Sequence, residues 1–310
     1  MTHGASISRR QFLATTATGA AAAFVLGDES LARREAFALR PTLSGIPTGF
    51  RQIDQVTGGL HCRELAIVAA RPGAGTTSLA LNVTDHVTVE AGIPTLYCSF
   101  GTSHVEIARR LMCSRGAIPL AAMGRGTLPA GIAARLTQAG AELSRSPLYL
   151  DDQPLRTVAE INAVAGRLNS RLSPARELGL LVVDSLHRVE TEHHAQSLQD
   201  HLFEVAEQLQ NLARELNLAI LALVRLNSSL SPTAHHTPAL TELQGIQYSA
   251  ETVMLLDRSI IDLATTRAAE QSFDSEAHML VVRPRDRVAA KVQLSWDSQS
   301  ACVFEREIGV

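Results

Sequence analysis

The chain has 310 residues, 45% of them hydrophobic and 19% charged, with 20 Gly and 12 Pro, proportions that exclude a disordered or collagen-like chain. Lys and Arg number 28 against 31 Asp and Glu, a net charge of -3, so no overall field draws the chain to nucleic acid or an anionic membrane and any polyanion site is local. Cys62, Cys98, Cys113 and Cys302 lie far apart without a C-x-x-C pair, which speaks against a zinc knuckle or disulfide framework and for reduced, mostly buried thiols.

Residues 1–42 stand apart. Ser8-Arg9-Arg10-Gln11-Phe12-Leu13 precedes an uncharged Ala/Thr/Gly/Val run through Leu26, and a polar stretch then ends in Ala36-Phe37-Ala38. Basic, apolar, then small-x-small is the order of an export signal. The run is too weakly hydrophobic for a spanning helix, so no stable membrane span is expected. The paired arginines resemble the twin-arginine signal, whose pathway exports folded proteins. Asp28 and Glu29 fit a signal poorly, and the other reading is an N-terminal arm of a cytoplasmic protein that docks on a neighbouring subunit.

From Leu43 to Val310 the pattern is one α/β domain. Strand-like apolar runs fall at Leu65 to Ala70, Thr95 to Ser99, Leu148 to Leu150, Leu178 to Val183, Ala219 to Val224, Thr252 to Leu256 and Met279 to Val282. Between several of them, residues 78–91, 103–115, 129–145, 157–171 and 197–216 carry apolar residues at three- and four-residue spacing, as in Leu198, Leu202, Val205, Leu209, Leu212 and Leu216. Strands alternating with amphipathic helices predict a mainly parallel sheet covered on both faces. Short strands between Val253 and Phe304 predict an antiparallel extension at its edge.

After the first strand comes Arg71-Pro72-Gly73-Ala74-Gly75-Thr76-Thr77-Ser78, leading directly into a helix. A strand, a glycine-rich turn and a helix start gather backbone N–H groups and the positive end of the helix dipole, a cradle for phosphates. A working P-loop has lysine after the last glycine and then Ser or Thr for Mg²⁺. Here the lysine position is Thr76, while Thr77 keeps the hydroxyl. Losing one such transition-state contact costs roughly 3–4 kcal/mol, or about 10²–10³ in rate.

Thr48-Gly49-Phe50, Asp54, Gly58-Gly59-Leu60, Ile67 to Pro72, Leu181-Val182-Val183-Asp184 and Leu226-Asn227 occur in the order and spacing of a known family. From about residue 43 to 306 the chain resembles the RecA-like ATPase domain of replicative DnaB-type helicases, without that family's primase-interacting N-terminal domain. The resemblance implies a RecA-like P-loop core, ATP and Mg²⁺ as cofactors, a hexameric ring and single-stranded DNA as a partner. It assigns Asp184 to the Walker B acid that holds Mg²⁺ with Thr77. It places Gly101 where the family has a water-orienting glutamate; Glu106 lies on the following helix as a solvated residue. The γ-phosphate-sensing glutamine is replaced by Arg225, which either returns positive charge to the site or faces solvent. Arg283 and Arg285 stand at the family's Lys-x-Arg pair, which reaches a neighbouring subunit's nucleotide; an exposed charged edge strand is the alternative.

With lysine and glutamate both replaced, nucleotide binding is expected to be weak and hydrolysis weak or lost. The expected function is a DnaB-type helicase homologue with a degraded nucleotide site. The alternative is a non-catalytic RecA-like interaction protein that assembles with itself or with an active helicase. His193, His194 and His201, and His235 and His236, carry no H-E-x-x-H or Cys partner, so a zinc site is not expected.

Overall fold

The computed structural model describes residues 43–124, 129–154, 156–172, 177–191, 197–226, 243, 245–258, 274–283, 288–297 and 299–305. The twin-arginine-like segment, Asn227, His193, His194, His235, His236, Pro284 and Arg285 lie outside these residues.

In chain order the elements are α1 (Arg51–Thr57), β1 (Leu65–Ala70), α2 (Thr76–Asp85), which runs on as a π-helical turn (His86–Glu90), β2 (Thr95–Ser99), α3 (His104–Arg115), α4 (Ala130–Arg145), β3 (Leu148–Asp151) and β4 (Arg156–Thr157). There follow α5 (Val158–Arg171), β5 (Leu180–Asp184), a 3₁₀ turn (Leu186–Arg188), β6 (Val189–Glu190), α6 (Leu198–Leu216), β7 (Ala219–Arg225), α7 (Ile246–Ser249), β8 (Thr252–Arg258), β9 (Asp274–Arg283), β10 (Val288–Asp297) and β11 (Cys302–Glu305).

Nine strands form one sheet in the order β11-β10-β9-β8-β1-β7-β5-β2-β3. From β8 to β3 every pairing is parallel, and β9, β10 and β11 add antiparallel strands at one edge. The expected α/β fold, a mainly parallel sheet between helices with an antiparallel C-terminal extension, is therefore the one observed. The central strands are apolar without alternation because both faces are covered. Leu65, Ile67 and Ala69 of β1 pack with Leu202, Val205, Leu209 and Leu212 of α6 on one face. Ala66, Val68 and Ala70 point to the other, against Leu79, Leu81 and Val83 of α2 and Ile107 and Leu111 of α3.

Helix starts follow local chemistry. Ser103 accepts from Glu106 N, Thr157 and Glu160 form a reciprocal capping box, and Ser197 accepts from Asp200 N, each satisfying an otherwise orphan amide. β9 begins at Asp274, five residues before the apolar run that announces it, and β10 is as long as β9. In this antiparallel extension the deeply buried residues alternate: Met279 and Val281 of β9, and Val292, Leu294 and Trp296 of β10, enter one core, so the apolar signal is diluted by half. α1 has no periodic signal at seven residues. The thiols divide more evenly than expected, with Cys98 and Cys113 buried, Cys302 intermediate and Cys62 exposed.

The turn before α1 closes on a buried carboxylate. Asp54 accepts from Thr48 N at 2.9 Å and Thr48 Oγ1 at 2.7 Å. Burial nevertheless lifts its pKa to about 6, against the opposing pull of the Thr48 bonds. A carboxyl that holds its proton more tightly folded than unfolded stabilises most at low pH, and the contribution is lost as pH rises through the folded pKa. Urea unfolding of wild type and Asp54→Asn should therefore show wild type losing about 2 kcal/mol relative to the variant between roughly pH 4 and 7. A pH-independent difference would contradict this assignment.

Candidate functional site

Parallel strands put their following loops on one edge, and the cleft lies there. β1 ends at Ala70, in register with Arg225 at the end of β7 and Leu256 of β8. Across the switch in strand order, Ser99 of β2 pairs with Asp184 of β5. Backbone bonds tie the ends together: Leu226 N donates to Ala70 O at 2.8 Å and Phe100 N to Asp184 O at 2.9 Å.

The glycine-rich turn needs its glycines. Gly73 and Gly75 have φ of 82° and 103°, a region other residues enter at a cost. A Cβ on Gly75 would also collide with the Trp296 ring. Ala74 is 2% exposed and belongs to the core beneath the loop, so of the residues assigned to nucleotide binding it alone turns away from the cleft. Arg71, Pro72, Gly73, Gly75, Thr76, Thr77 and Ser78 line a cleft of about 480 Å³ together with Asp184 and Arg225.

At its floor Thr77 Oγ1 donates to Asp184 Oδ2 at 2.9 Å and Tyr97 Oη donates to the same oxygen at 3.0 Å. Burial raises the Asp184 pKa; the Thr77 and Tyr97 bonds, then Arg225 and Arg110, oppose it. Tyr97, fully buried beside that carboxyl, is pushed well above the usual phenol value and stays a donor. Among the described residues no group of three or more His, Cys, Asp and Glu side chains is placed to hold a metal. One hydroxyl and one carboxylate suit Mg²⁺, which takes one or two protein oxygens and completes its shell with water and phosphate.

The walls carry more charge than local sequence revealed. Among the described residues five arginines line the cleft, Arg71, Arg110, Arg188, Arg225 and Arg258, and Asp184 is the one acidic residue lining it. Arg71 approaches Asp257 at 3.8 Å, Arg110 pairs with Glu106 at 2.8 Å, and Arg258 stacks over the Trp296 ring at 4.8 Å. Arg225, an exposed residue at the end of β7, lines the same cleft. Arg188 follows Asp184 by four residues, and the 3₁₀ turn between them folds it back over the cleft. That short spacing was the available signal; Arg110, Arg258 and Trp296 had none beyond their place in the fold.

Glu106 is no replacement for the acid absent at Gly101. Hydrogen bonds from Arg109 first, and then from Arg110, hold its pKa down at about 2, and it does not line the cleft. Arg283 is not in the cleft either. β9 runs against β8, so Arg283 lies near the start of β8, about 20 Å from the glycine-rich turn. Its Nη1 donates to Thr57 O at 2.8 Å. A part for Arg283 in phosphate chemistry thus requires another subunit's cleft.

A model of the DnaB-like helicase C-terminal domain matches residues 45–305. The replicative DNA helicase DnaB of Leifsonia xyli is 31% identical over 259 residues, 82% of this chain and 54% of that protein. The chain spans about half the length of the curated relatives it matches. Among solved structures, a DnaB-like replicative helicase described with its primase interactions superposes with a TM-score of 0.75 at 20% identity, covering 92% of this chain and 69% of that one. An ATPase domain superposes equally well, with a TM-score of 0.75 at 20% identity over 91% of this chain and 100% of its own.

Asp184→Asn keeps an oxygen for Thr77 and Tyr97 and removes a charge that burial opposes. Thermal melts without ligand should place the variant above wild type, with the gap widening as pH rises and Asp184 ionises. A variant melting below wild type at neutral pH would mean that the charge itself holds the cleft together.

Proposed function

Because the chain belongs to the DnaB-like helicase C-terminal domain family, we propose that it is a DnaB-type helicase homologue whose cleft takes ATP with Mg²⁺ but hydrolyses it very slowly or not at all. The observation that carries the reading is the charge inventory of the cleft among the described residues: five arginines and a single carboxylate, Asp184. Backbone amides of the glycine-rich turn and the start of α2 would hold phosphates, and Thr77 with Asp184 would hold the metal. Bound Mg²⁺ supplies charge neutralisation to the phosphates.

What the described residues of the cleft lack is a means of activating water. Asp184 is committed to the metal position and already accepts two hydrogen bonds. Among the described residues no second carboxylate lines the cleft. Thr76 is neutral, and the surrounding arginines cannot accept a proton. These absences add to the missing lysine rather than offset it.

A subunit of this kind serves through assembly. Arg283 sits at the end of the sheet remote from its own cleft, where a contribution to a neighbour is geometrically open. The proposal therefore includes a ring-forming homo-oligomer, hexameric as the resemblance implies, or assembly with an active helicase. Single-stranded DNA is the partner such a ring would encircle. Among the described residues no helix is long and apolar enough to cross a membrane.

Steady-state ATPase measurement with single-stranded DNA and Mg²⁺ should give turnover at least a hundredfold below the ~1–100 per second typical of phosphoryl-transfer enzymes. Thr76→Lys alone should not restore it. Turnover inside that range, abolished by Asp184→Asn, would overturn the proposal.

A further inference from the structure

The turn after β2 brings together two positions the sequence does not connect. Ser99 Oγ donates to Thr102 O at 2.8 Å and accepts from Thr102 N at 3.3 Å, closing a tight loop over Phe100 and Gly101. On the adjacent strand, Arg188 N donates to Ser185 O at 3.0 Å and turns the chain back toward that loop. A Cβ on Gly101 would lie 3.3 Å from Arg188 Nε and 3.7 Å from its Cδ and Cζ. The Arg188 side chain therefore lies against the position a side chain at 101 would take, closely at Nε and at ordinary contact distance at Cδ and Cζ. Its contact there is light: Nη1 to Phe100 O at 3.5 Å. Among the described residues Arg188 is within ion-pair distance of no carboxylate, whereas Arg71 and Arg110 each have one.

The exchange reverses the chemistry of this wall. A side chain reaching from 101 would compete with Arg188 for space, and an acidic one would neutralise it. With glycine there, Arg188, a cation without a carboxylate partner among the described residues, lines the same cleft as the glycine-rich turn. Arg225, likewise exposed and lining the cleft, flanks it. Planar guanidinium groups bind phosphate oxygens in pairs of hydrogen bonds, and they do so without being able to take a proton.

We infer that Arg188 is the specificity-determining residue of the cleft, a cation that recognises the terminal phosphate of a nucleoside triphosphate and so separates tri- from diphosphate binding. The inference rests on the nucleotide-binding reading above. Gly101 is part of the device, because its missing side chain leaves Arg188 the space.

Titrations of the full chain with fluorescent ATP and ADP analogues, each with Mg²⁺, test it. Wild type should prefer the triphosphate. Arg188→Ala should weaken triphosphate binding roughly tenfold to a hundredfold and diphosphate binding by less than about twofold, collapsing the ratio. Gly101→Glu, which sets a carboxylate beside Arg188, should collapse the ratio in the same way, and adding it to Arg188→Ala should change the ratio no further. Arg188→Lys, keeping the charge, should recover part of the preference. Unchanged ratios in Arg188→Ala would overturn this inference and leave nucleotide binding standing. Failure of wild type to bind either analogue would overturn both.

Discussion

The 2.9 Å hydrogen bond from Thr77 to Asp184 is the contact on which the cleft depends. It joins the first turn of α2 to the end of β5, elements 107 residues apart in the chain, and Tyr97 locks the same oxygen from β2. With Leu226 held to Ala70 and Phe100 to Asp184 through the backbone, the ends of four neighbouring strands are fixed against one another. Intramolecular hydrogen bonds each contribute about 0.5–1.5 kcal/mol net, and together they hold a loop whose glycines would otherwise sample many conformations.

That framework decides where charge can go. A chain with a net charge of -3 builds an edge where cations outnumber acids, because arginines from the glycine-rich turn, α3, the 3₁₀ turn, β7 and β8 converge on it. Part of the excess is spread: Arg71 onto Asp257, Arg110 onto Glu106, and Arg258 onto the face of Trp296. Among the described residues Arg188 and Arg225 have no carboxylate within ion-pair distance, the arrangement that the proposed polyphosphate ligand would meet. Like-charged groups around a cleft repel one another, a strain that a polyanion relieves.

Much of this architecture was legible because it is local. β1 and β2 coincide with their apolar runs, and α3, α5 and α6 begin within a residue of their caps, since burial on both faces and Ser or Thr capping write themselves into consecutive residues. Thr76, Thr77 and Gly101 were readable from position alone. The arginine wall was not, because Arg110 and Arg258 are ordinary charged residues on a helix and a strand until the fold sets them beside Gly75. Trp296 is similar: an aromatic near the end of β10 that becomes, at 2% exposure, the surface on which the glycine-rich turn rests. Long-range register, not residue type, makes them part of the site.

Fold stability gives no reason for an ionisable group at 184. Its carboxyl is in surroundings that oppose ionisation, and a neutral amide would accept from Thr77 and Tyr97 without the desolvation cost. The carboxylate becomes favourable only when a cation reaches it. The arginines nearest in effect, Arg225 and Arg110, do not bring its pKa back to the ordinary value. A divalent ion against Thr77 and Asp184 would do so, and phosphates brought with that ion would meet Arg188 and Arg225. The buried acid and the uncommitted cations are thus two halves of one requirement, a ligand that carries metal and phosphate together. Nothing in it requires that the phosphate bond be broken.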